Sequence, residues 1–279
     1  MLRFALAAIA AILALGVGYS TLYNTFLDTS NPLLASHPLS ASHYFADKRN
    51  VLNVYFIKQG WAWTTAIFFL NWFSSPPSVR TRQRVFQYLL ATSAWLLFTA
   101  WFFGPSLFER LMVASGGQCI LNLPSGELVA VPHSLCYSKS TVAPFTHPEL
   151  FASPSFTSLS LDQSAFPTGW IGTPRLRRGH DVSGHIFLLT LSILLLVDQL
   201  KPSFYIRRQQ GQWPASHYAA VIATVALIAV WFFGVYTTSV YFHLPMEKAT
   251  GFLLGVISFA PTQLPFVKFR CPEEKSHTN

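Results

Sequence analysis

Two histidines and one carboxylate have the types and spacing needed for chemistry. His185 ends the run Ser183-Gly184-His185, which leads directly into an apolar stretch, and His243 precedes a second apolar stretch. Glu247 follows four residues after His243, near the third position of the helix expected there, from which a carboxylate can reach back towards the preceding residues. Glu247 is therefore predicted to hold His243 in one tautomer, and an oriented, neutral imidazole is a competent nucleophile or base.

A second group of residues can hold an anion beside the histidines. Ser183 is a good N-cap residue and Gly184 lets a ligand approach the backbone closely, while a helix N-terminus favours phosphate. Lys58 and Arg110 can neutralise negative charge, although each also fits a residue that anchors its helix at a membrane surface. Asp181 either belongs to this binding group or only caps the helix that follows.

The composition indicates an integral membrane protein. Of the 279 residues, 51% are hydrophobic and only 11% are charged, whereas a soluble domain carries about 25% charged residues. The formal net charge is +8, and the basic residues cluster in short loops between apolar stretches. The positive-inside rule explains this charge better than a nucleic-acid partner does.

The apolar stretches predict an all-α membrane protein, a single membrane domain over residues 1–279. The first stretch is expected to be a retained helix rather than a cleaved signal peptide, because no small-residue cleavage site ends it. Asp198, near the end of the fourth stretch, is expected to face water. Six transmembrane helices are predicted, over residues 4–22, 51–73, 85–103, 183–200, 218–236 and 245–267.

The loops set the expected orientation. The short loops 74–84 and 201–216 both carry arginines and both follow even-numbered spans, so these loops and both termini are predicted to be cytosolic. Spans two, four and six then begin at the opposite, lumenal face. Lys58, His185 and His243 are therefore expected to meet near that face, at three helix N-termini.

The long segment 104–182 is predicted to be a lumenal loop. It is rich in Ser and Pro, and residues 134–172 lack helical periodicity, so part of the loop is expected to be disordered or loosely packed. Cys119 and Cys136 can pair if the loop is lumenal, but their spacing does not fix the geometry of a disulfide.

The two histidine motifs resemble those of the phosphatidic-acid-phosphatase type 2 superfamily. In that superfamily the second histidine is the nucleophile and the histidine of Ser-Gly-His protonates the leaving group, which correspond here to His243 and His185. Two other elements of the superfamily differ. Tyr236-Thr237 stands where its Ser-Arg pair is expected, and its Lys-x6-Arg-Pro element is absent.

Four motifs carry a closer resemblance. They are the stretch Asp-Val-Ser-Gly-His-Ile-Phe-Leu-Leu at 181–189, Val-Tyr-Phe-His at 240–243 with Glu247-Lys248, Lys58 with Trp61 and Trp63, and Trp-Phe-Phe-Gly-Pro-Ser at 101–106. With these motifs the sequence is more closely similar to the fat storage-inducing transmembrane (FIT) family. The resemblance implies an endoplasmic reticulum protein needed for lipid droplet budding. It also implies lumenal cleavage of the diphosphate of fatty acyl-CoA, giving acyl-4′-phosphopantetheine and adenosine 3′,5′-bisphosphate, with His185 and His243 essential.

These two resemblances lead to one mechanistic hypothesis. His243 attacks a diphosphate phosphorus, His185 protonates the departing oxygen, and the cations neutralise the developing charge, with no metal or cofactor required. The expected partners are fatty acyl-CoA, neutral lipid, phospholipid and the membrane, without nucleic acid. The alternative is a non-enzymatic protein that binds diacylglycerol or triacylglycerol and partitions it into droplets. A transporter is disfavoured, because the polar residues lie at one face and no inverted repeat is visible.

Overall fold

The computed structural model describes residues 1–27, 37–100, 104–152, 167 and 169–268, except the side chains of 209 and 210. The chain divides into two compact units. The first unit contains the described parts of 1–27, 36–97 and 183–279, and the second contains the described parts of 98–182.

The first unit is built of helices that pack around one central helix. That central helix, α7, spans Gly184–Gln210 and contacts its four main neighbours. Nearly all of its apolar segment is buried, which is typical of a helix surrounded by other helices. The neighbours are α1 (Leu2–Tyr23), α2 (Gly60–Ser74), α8 (Ala215–Tyr241) and α9 (Pro245–Phe259).

Further elements complete the first unit. Helix α3 spans Arg82–Thr99, and a single π-helical turn spans Leu52–Ile57 just before α2. Four 3₁₀ turns lie at Pro38–Ala41, Tyr44–Ala46, Pro77–Val79 and Ala260–Gln263.

The bounds of the observed helices differ from those of the predicted spans, most of all in the second, fourth and sixth, and the helix of the sixth ends at Phe259 rather than 267. The second span is not one helix, because the π turn gives way to α2 at Lys58-Gln59. The fourth span, predicted to end at Leu200, continues to Gln210 through Pro202. Among the described residues, three helices are both long and apolar enough to cross a membrane, namely Leu2–Tyr23, Gly184–Arg208 and Ala215–Tyr241. The arrangement of six spans therefore stays a prediction.

A buried polar network joins α3 to α7, and it corrects the expectation that Asp198 faces water. Asp198 is 5% exposed, and its carboxylate accepts hydrogen bonds from Lys201 at 2.5 Å and from Gln87 at 3.1 Å. Arg84, fully buried, donates to the side chain of Gln199 at 2.7 Å. Buried polar groups are stable only when such partners are present, so both charges are structural parts of the helix packing.

The second unit contains more secondary structure than the sequence indicated. Its short helices are α4 (Leu107–Ala114), α5 (His133–Tyr137) and α6 (Pro148–Phe151). Its strands β1 (Gln118–Asn122), β2 (Leu128–Val131) and β3 (Arg175–Arg177) form an antiparallel sheet in the order β2-β1-β3. The part of the predicted disordered loop at 153–166 and 168 lies outside the described residues.

A disulfide links Cys119 on β1 to Cys136 on α5. Both cysteines belong to the small apolar core of the second unit, together with Leu121, Val129 and Phe151. The pairing that the sequence left open is therefore made, and it stabilises a unit whose core is small.

Candidate functional site

His243 lies in a tight connection between two helices. Helix α8 ends at Tyr241 and α9 begins at Pro245, which leaves three residues to reverse the chain. His243 adopts a left-handed backbone conformation with φ of 61°, which is uncommon for a residue with a side chain. Such strain persists only where the surrounding structure holds it, and it clusters at functional sites.

Glu247 reaches back from the first turn of α9 to this connection. Its Oε2 accepts the backbone N–H of Leu244 at 2.8 Å and lies 3.4 Å from Nδ1 of His243. The Glu247 side chain is 2% exposed and that of His243 is 17% exposed. The carboxylate therefore lies where the four-residue spacing predicts, behind an imidazole that remains accessible.

His185 is fixed by the start of α7. Ser183 caps this helix, because its Oγ accepts the N–H of Ile186 at 3.5 Å. The N–H of Ser183 donates to the carbonyl of Glu247 at 3.0 Å. This bond joins the two histidine-bearing segments through the backbone, with Gly184 as the first residue of α7 and His185, partly exposed, as the next.

Two glycines bring α9 against α7. A Cβ on Gly251 would lie 2.5 Å from the carbonyl oxygen of Ser183, and one on Gly255 would lie 2.7 Å from Cβ of Thr190. Small residues four positions apart allow this close approach of membrane helices. The sequence analysis did not identify this pair, although its Gly-x-x-x-Gly spacing is a signal that could have revealed it.

Lys58 reaches the same region through the break in the second span. It is exposed and follows the π turn. Gly60, two residues later, packs against α7, where a Cβ would lie 2.9 Å from Cδ2 of Leu188. Leu188 is three residues beyond His185. The packing of Gly60 on Leu188 brings Lys58 towards the first turns of α7, and His185 interacts electrostatically with Lys58 and with His243.

Lys48 is a further cation that the sequence analysis missed. Its charge also acts on His185, and its side chain is exposed. Two buried asparagines shape its turn, because Asn53 Nδ2 donates to the Lys48 carbonyl at 2.6 Å and Asn50 Oδ1 accepts the Asn53 N–H at 2.8 Å. The signal available in the sequence was the basic pair Lys48-Arg49, just before an apolar stretch.

Trp63 supports the π turn. A π turn leaves backbone groups without their usual α-helical partners, and the indole Nε1 of Trp63 donates to the carbonyl of Tyr55 at 2.8 Å. Its ring also stacks on Phe56, with centroids 5.7 Å apart. From the sequence alone, Trp63 could lie in an interfacial aromatic belt or in the functional site. In the structure it stabilises the π turn that precedes Lys58.

Lys248 is fully buried beside the site. Its ammonium group donates to the carbonyl of Ser239 at 2.6 Å and to Oγ of Ser20 at 3.1 Å. These bonds tie α9 to α8 and α1, so Lys248 positions the helix that carries Glu247.

The predicted site residues fall into two sets. The larger set belongs to the first unit and is brought together there. It consists of Lys58, Ser183, Gly184, His185, His243 and Glu247. Arg110 and Asp181 belong to the second unit, where Arg110 is exposed and donates to the carbonyl of Pro105 at 2.9 Å, and Asp181 interacts with Arg177. Their role in binding phosphate stays a prediction.

The class of this protein follows from its helices and composition: it is a helical integral membrane protein. The family is identified by sequence comparison. Residues 41–224 and 205–262 match the model of the family described as fat storage-inducing transmembrane protein. The chain belongs to this family.

Relatives in yeast and vertebrates carry one functional name. The acyl-coenzyme A diphosphatase fit1 of Schizosaccharomyces pombe is 28% identical over 221 residues, which cover 79% of this chain and 73% of the relative. The acyl-coenzyme A diphosphatase FITM2 of Danio rerio is 25% identical, covering 88% of this chain and 85% of the relative. The human FITM2 is 25% identical, covering 81% and 73%. No solved structure matches the chain.

Proposed function

We propose that this protein hydrolyses the diphosphate of fatty acyl-CoA, giving acyl-4′-phosphopantetheine and adenosine 3′,5′-bisphosphate. The relatives named acyl-coenzyme A diphosphatases support the substrate. The observation that carries the reaction is the placement of His243 with Glu247 behind it, in the neighbourhood of His185 and two lysines. A protein that only binds neutral lipid has no need of this arrangement.

His243 is the proposed nucleophile. Its Nδ1 faces the Glu247 carboxylate, which favours the tautomer with a proton on Nδ1 and a lone pair on Nε2. Nε2 attacks one phosphorus of the diphosphate, and the bond from that phosphorus to the bridging oxygen breaks. The negative charge of the bound diphosphate favours a proton on His185, and His185 donates this proton to the departing oxygen. Water then attacks the phosphohistidine, gives its proton to His185 and releases the second product.

The two lysines stabilise the charge of the diphosphate. Phosphoryl transfer is accelerated mainly by positioning and by cations near the equatorial oxygens. Lys58 and Lys48 are exposed and interact electrostatically with His185, so both are placed to attract a bound anion.

We place the protein in the endoplasmic reticulum membrane, with six spans, cytosolic termini and a lumenal site that supports lipid droplet formation and phospholipid homeostasis. The disulfide of the second unit supports a lumenal position for 104–182, because disulfides persist in oxidising compartments. Arg80 and Arg82, and Arg207 with Arg208, support cytosolic positions for the two short loops. Arg84 does not contribute to this argument, since it is buried in the helix packing.

The test is the release of adenosine 3′,5′-bisphosphate from oleoyl-CoA by the purified protein. His243→Ala should abolish release, and His185→Ala should lower kcat by about 10²–10⁴-fold, the usual contribution of general acid catalysis. His133→Ala is the matched control, because His133 is an exposed histidine of the second unit. Release by the wild-type protein that persists in His243→Ala would refute the mechanism, and no release by any form would favour neutral-lipid binding.

A further inference from the structure

An apolar groove lies on the surface of the first unit. Its volume is about 450 Å³, within the range of about 300–1,000 Å³ typical of small-molecule sites. Its walls are entirely apolar. One wall is formed by Val51, Leu52 and Phe56 and the other by Ala229, Val230 and Phe233 of α8.

Aromatic contacts restrain the lining of the groove, to which Tyr44 and Phe45 also belong. The ring of Phe45 meets that of Phe233 edge to face, with centroids 5.2 Å apart, and also meets that of Tyr44 at 5.2 Å. Phe56 is held by its stack on Trp63. The groove therefore has a defined shape, set by rings that restrain one another.

The groove and the candidate site share a chain segment. The wall formed by Val51, Leu52 and Phe56 lies in the sequence between Lys48 and Lys58, the two cations that act on His185. On α8, Phe233 lies eight residues before the last helical residue, Tyr241, or about 12 Å along the helix axis. The groove thus begins at a distance from the histidines, as the acyl chain requires, because a pantetheine arm separates the diphosphate from the thioester.

We infer that this groove binds the fatty acyl chain of the substrate while the diphosphate lies at the two histidines. The inference rests on the proposed acyl-CoA diphosphatase activity. Lys48 and Lys58 flank the wall segment in the sequence, so a substrate whose diphosphate they hold can extend its pantetheine arm and acyl chain along Leu52 and Phe56. A bilayer phospholipid is the competing occupant, because an apolar surface in a membrane also contacts ordinary lipid.

A pair of tryptophan substitutions tests the groove. Ala229 lines it and is exposed, whereas Ala226 is equally exposed on the same helix, one turn away, and does not line it. We compare kcat/KM of Ala229→Trp and Ala226→Trp for octanoyl-CoA, palmitoyl-CoA and oleoyl-CoA. Partition of the substrate into the detergent micelle affects both variants equally, so it cancels from their ratio.

The kcat/KM of Ala229→Trp divided by that of Ala226→Trp should stay near one with octanoyl-CoA. It should fall about tenfold with oleoyl-CoA, the equivalent of about 1.4 kcal/mol, because the indole displaces methylene groups from the groove. If the ratio of the two kcat/KM values is the same at all chain lengths while the wild-type protein is active, the groove does not bind the acyl chain. The proposed function would remain intact. Wild-type protein inactive towards every acyl-CoA would instead overturn the proposed function.

A binding experiment, which needs no turnover, tests whether the groove holds the acyl chain of the substrate or a bilayer phospholipid. Palmitoyl-CoA with a diazirine at the end of its chain is photolysed with the His243→Ala variant, and the labelled peptides are mapped. Label within 44–56 and 229–233 that palmitoyl-CoA displaces and phosphatidylcholine does not would support the groove as the acyl-chain site. Label elsewhere, or equal displacement by phosphatidylcholine, would show that the groove is only a lipid-facing surface.

Discussion

Gly251→Ala should inactivate the protein without touching any reacting group. The added methyl would lie 2.5 Å from the carbonyl oxygen of Ser183, whereas ordinary contacts begin at about 3.4 Å. The obstacle is backbone rather than a flexible side chain, so α9 and the start of α7 must part by about 0.9 Å. This movement weakens the hydrogen bond from the Ser183 N–H to the Glu247 carbonyl and separates His185 from His243.

The expected loss is about 100-fold in kcat, because a misplacement of about 1 Å costs roughly that much when geometry controls the rate. KM should change little, since Lys48, Lys58 and the apolar groove are untouched. The assay is adenosine 3′,5′-bisphosphate release from oleoyl-CoA over a range of substrate concentrations, alongside the thermal unfolding temperature of each purified variant in detergent.

Gly18→Ala is the matched control. It makes the same change in a membrane helix, but a Cβ there meets nothing within 4 Å, and replacing a helical glycine by alanine alone is stabilising by about 1 kcal/mol. This variant should keep full activity. If Gly251→Ala is folded and keeps more than half of the wild-type kcat, close packing of α9 on α7 does not position the histidines.

Two further predictions concern regions outside the membrane helices. Burial lowers the pKa of His37 below its usual 6.5, against the effect of the carbonyls of Thr25 and Tyr241 to which its Nε2 donates. The unfolded chain therefore binds a proton that the folded chain excludes, and stability should fall as pH drops below about 6.5. His37→Phe should flatten the fall of the thermal unfolding temperature between pH 7.5 and 5.5. If the temperatures of wild-type and variant fall in parallel with pH, His37 is not the titrating group. Reducing the disulfide between Cys119 and Cys136, 17 residues apart, should cost the second unit about 3 kcal/mol. Faster proteolysis within 104–152 reports the loss, and unchanged cleavage would contradict it.

The relation of His243 to Glu247 was predictable from the sequence, because the rules for helix N-termini place a carboxylate four residues after a preceding side chain. Similar rules identified Ser183 as a cap. Lys48 was missed, because the basic pair Lys48-Arg49 was its only signal in the sequence and the irregular turn that follows it has no periodicity. The burial of Asp198 was also missed, since a charged residue near a helix end has the same local pattern whether it faces water or a polar partner.

The break in the second span has a similar cause. Residues 51–73 are mostly apolar, and Lys58 is their one charged residue, so composition predicts one uninterrupted helix. The π turn depends on a distant donor, the indole of Trp63, and on two asparagines that fix the turn before it. Contacts between residues several turns apart decide the backbone here, and a hydropathy pattern does not contain them.

The dependence of α7 on α9 has a consequence for how the protein is made. A chain synthesised from its N-terminus exposes His185 well before Glu247, Gly251 and Gly255 exist. Until α9 is inserted, the Ser183 N–H lacks its acceptor and the connection bearing His243 lacks its carboxylate. A nascent or truncated chain that stops short of α9 therefore carries no assembled hydrolase. Activity would appear in one step when the last described helix docks, which keeps partly made protein from consuming acyl-CoA.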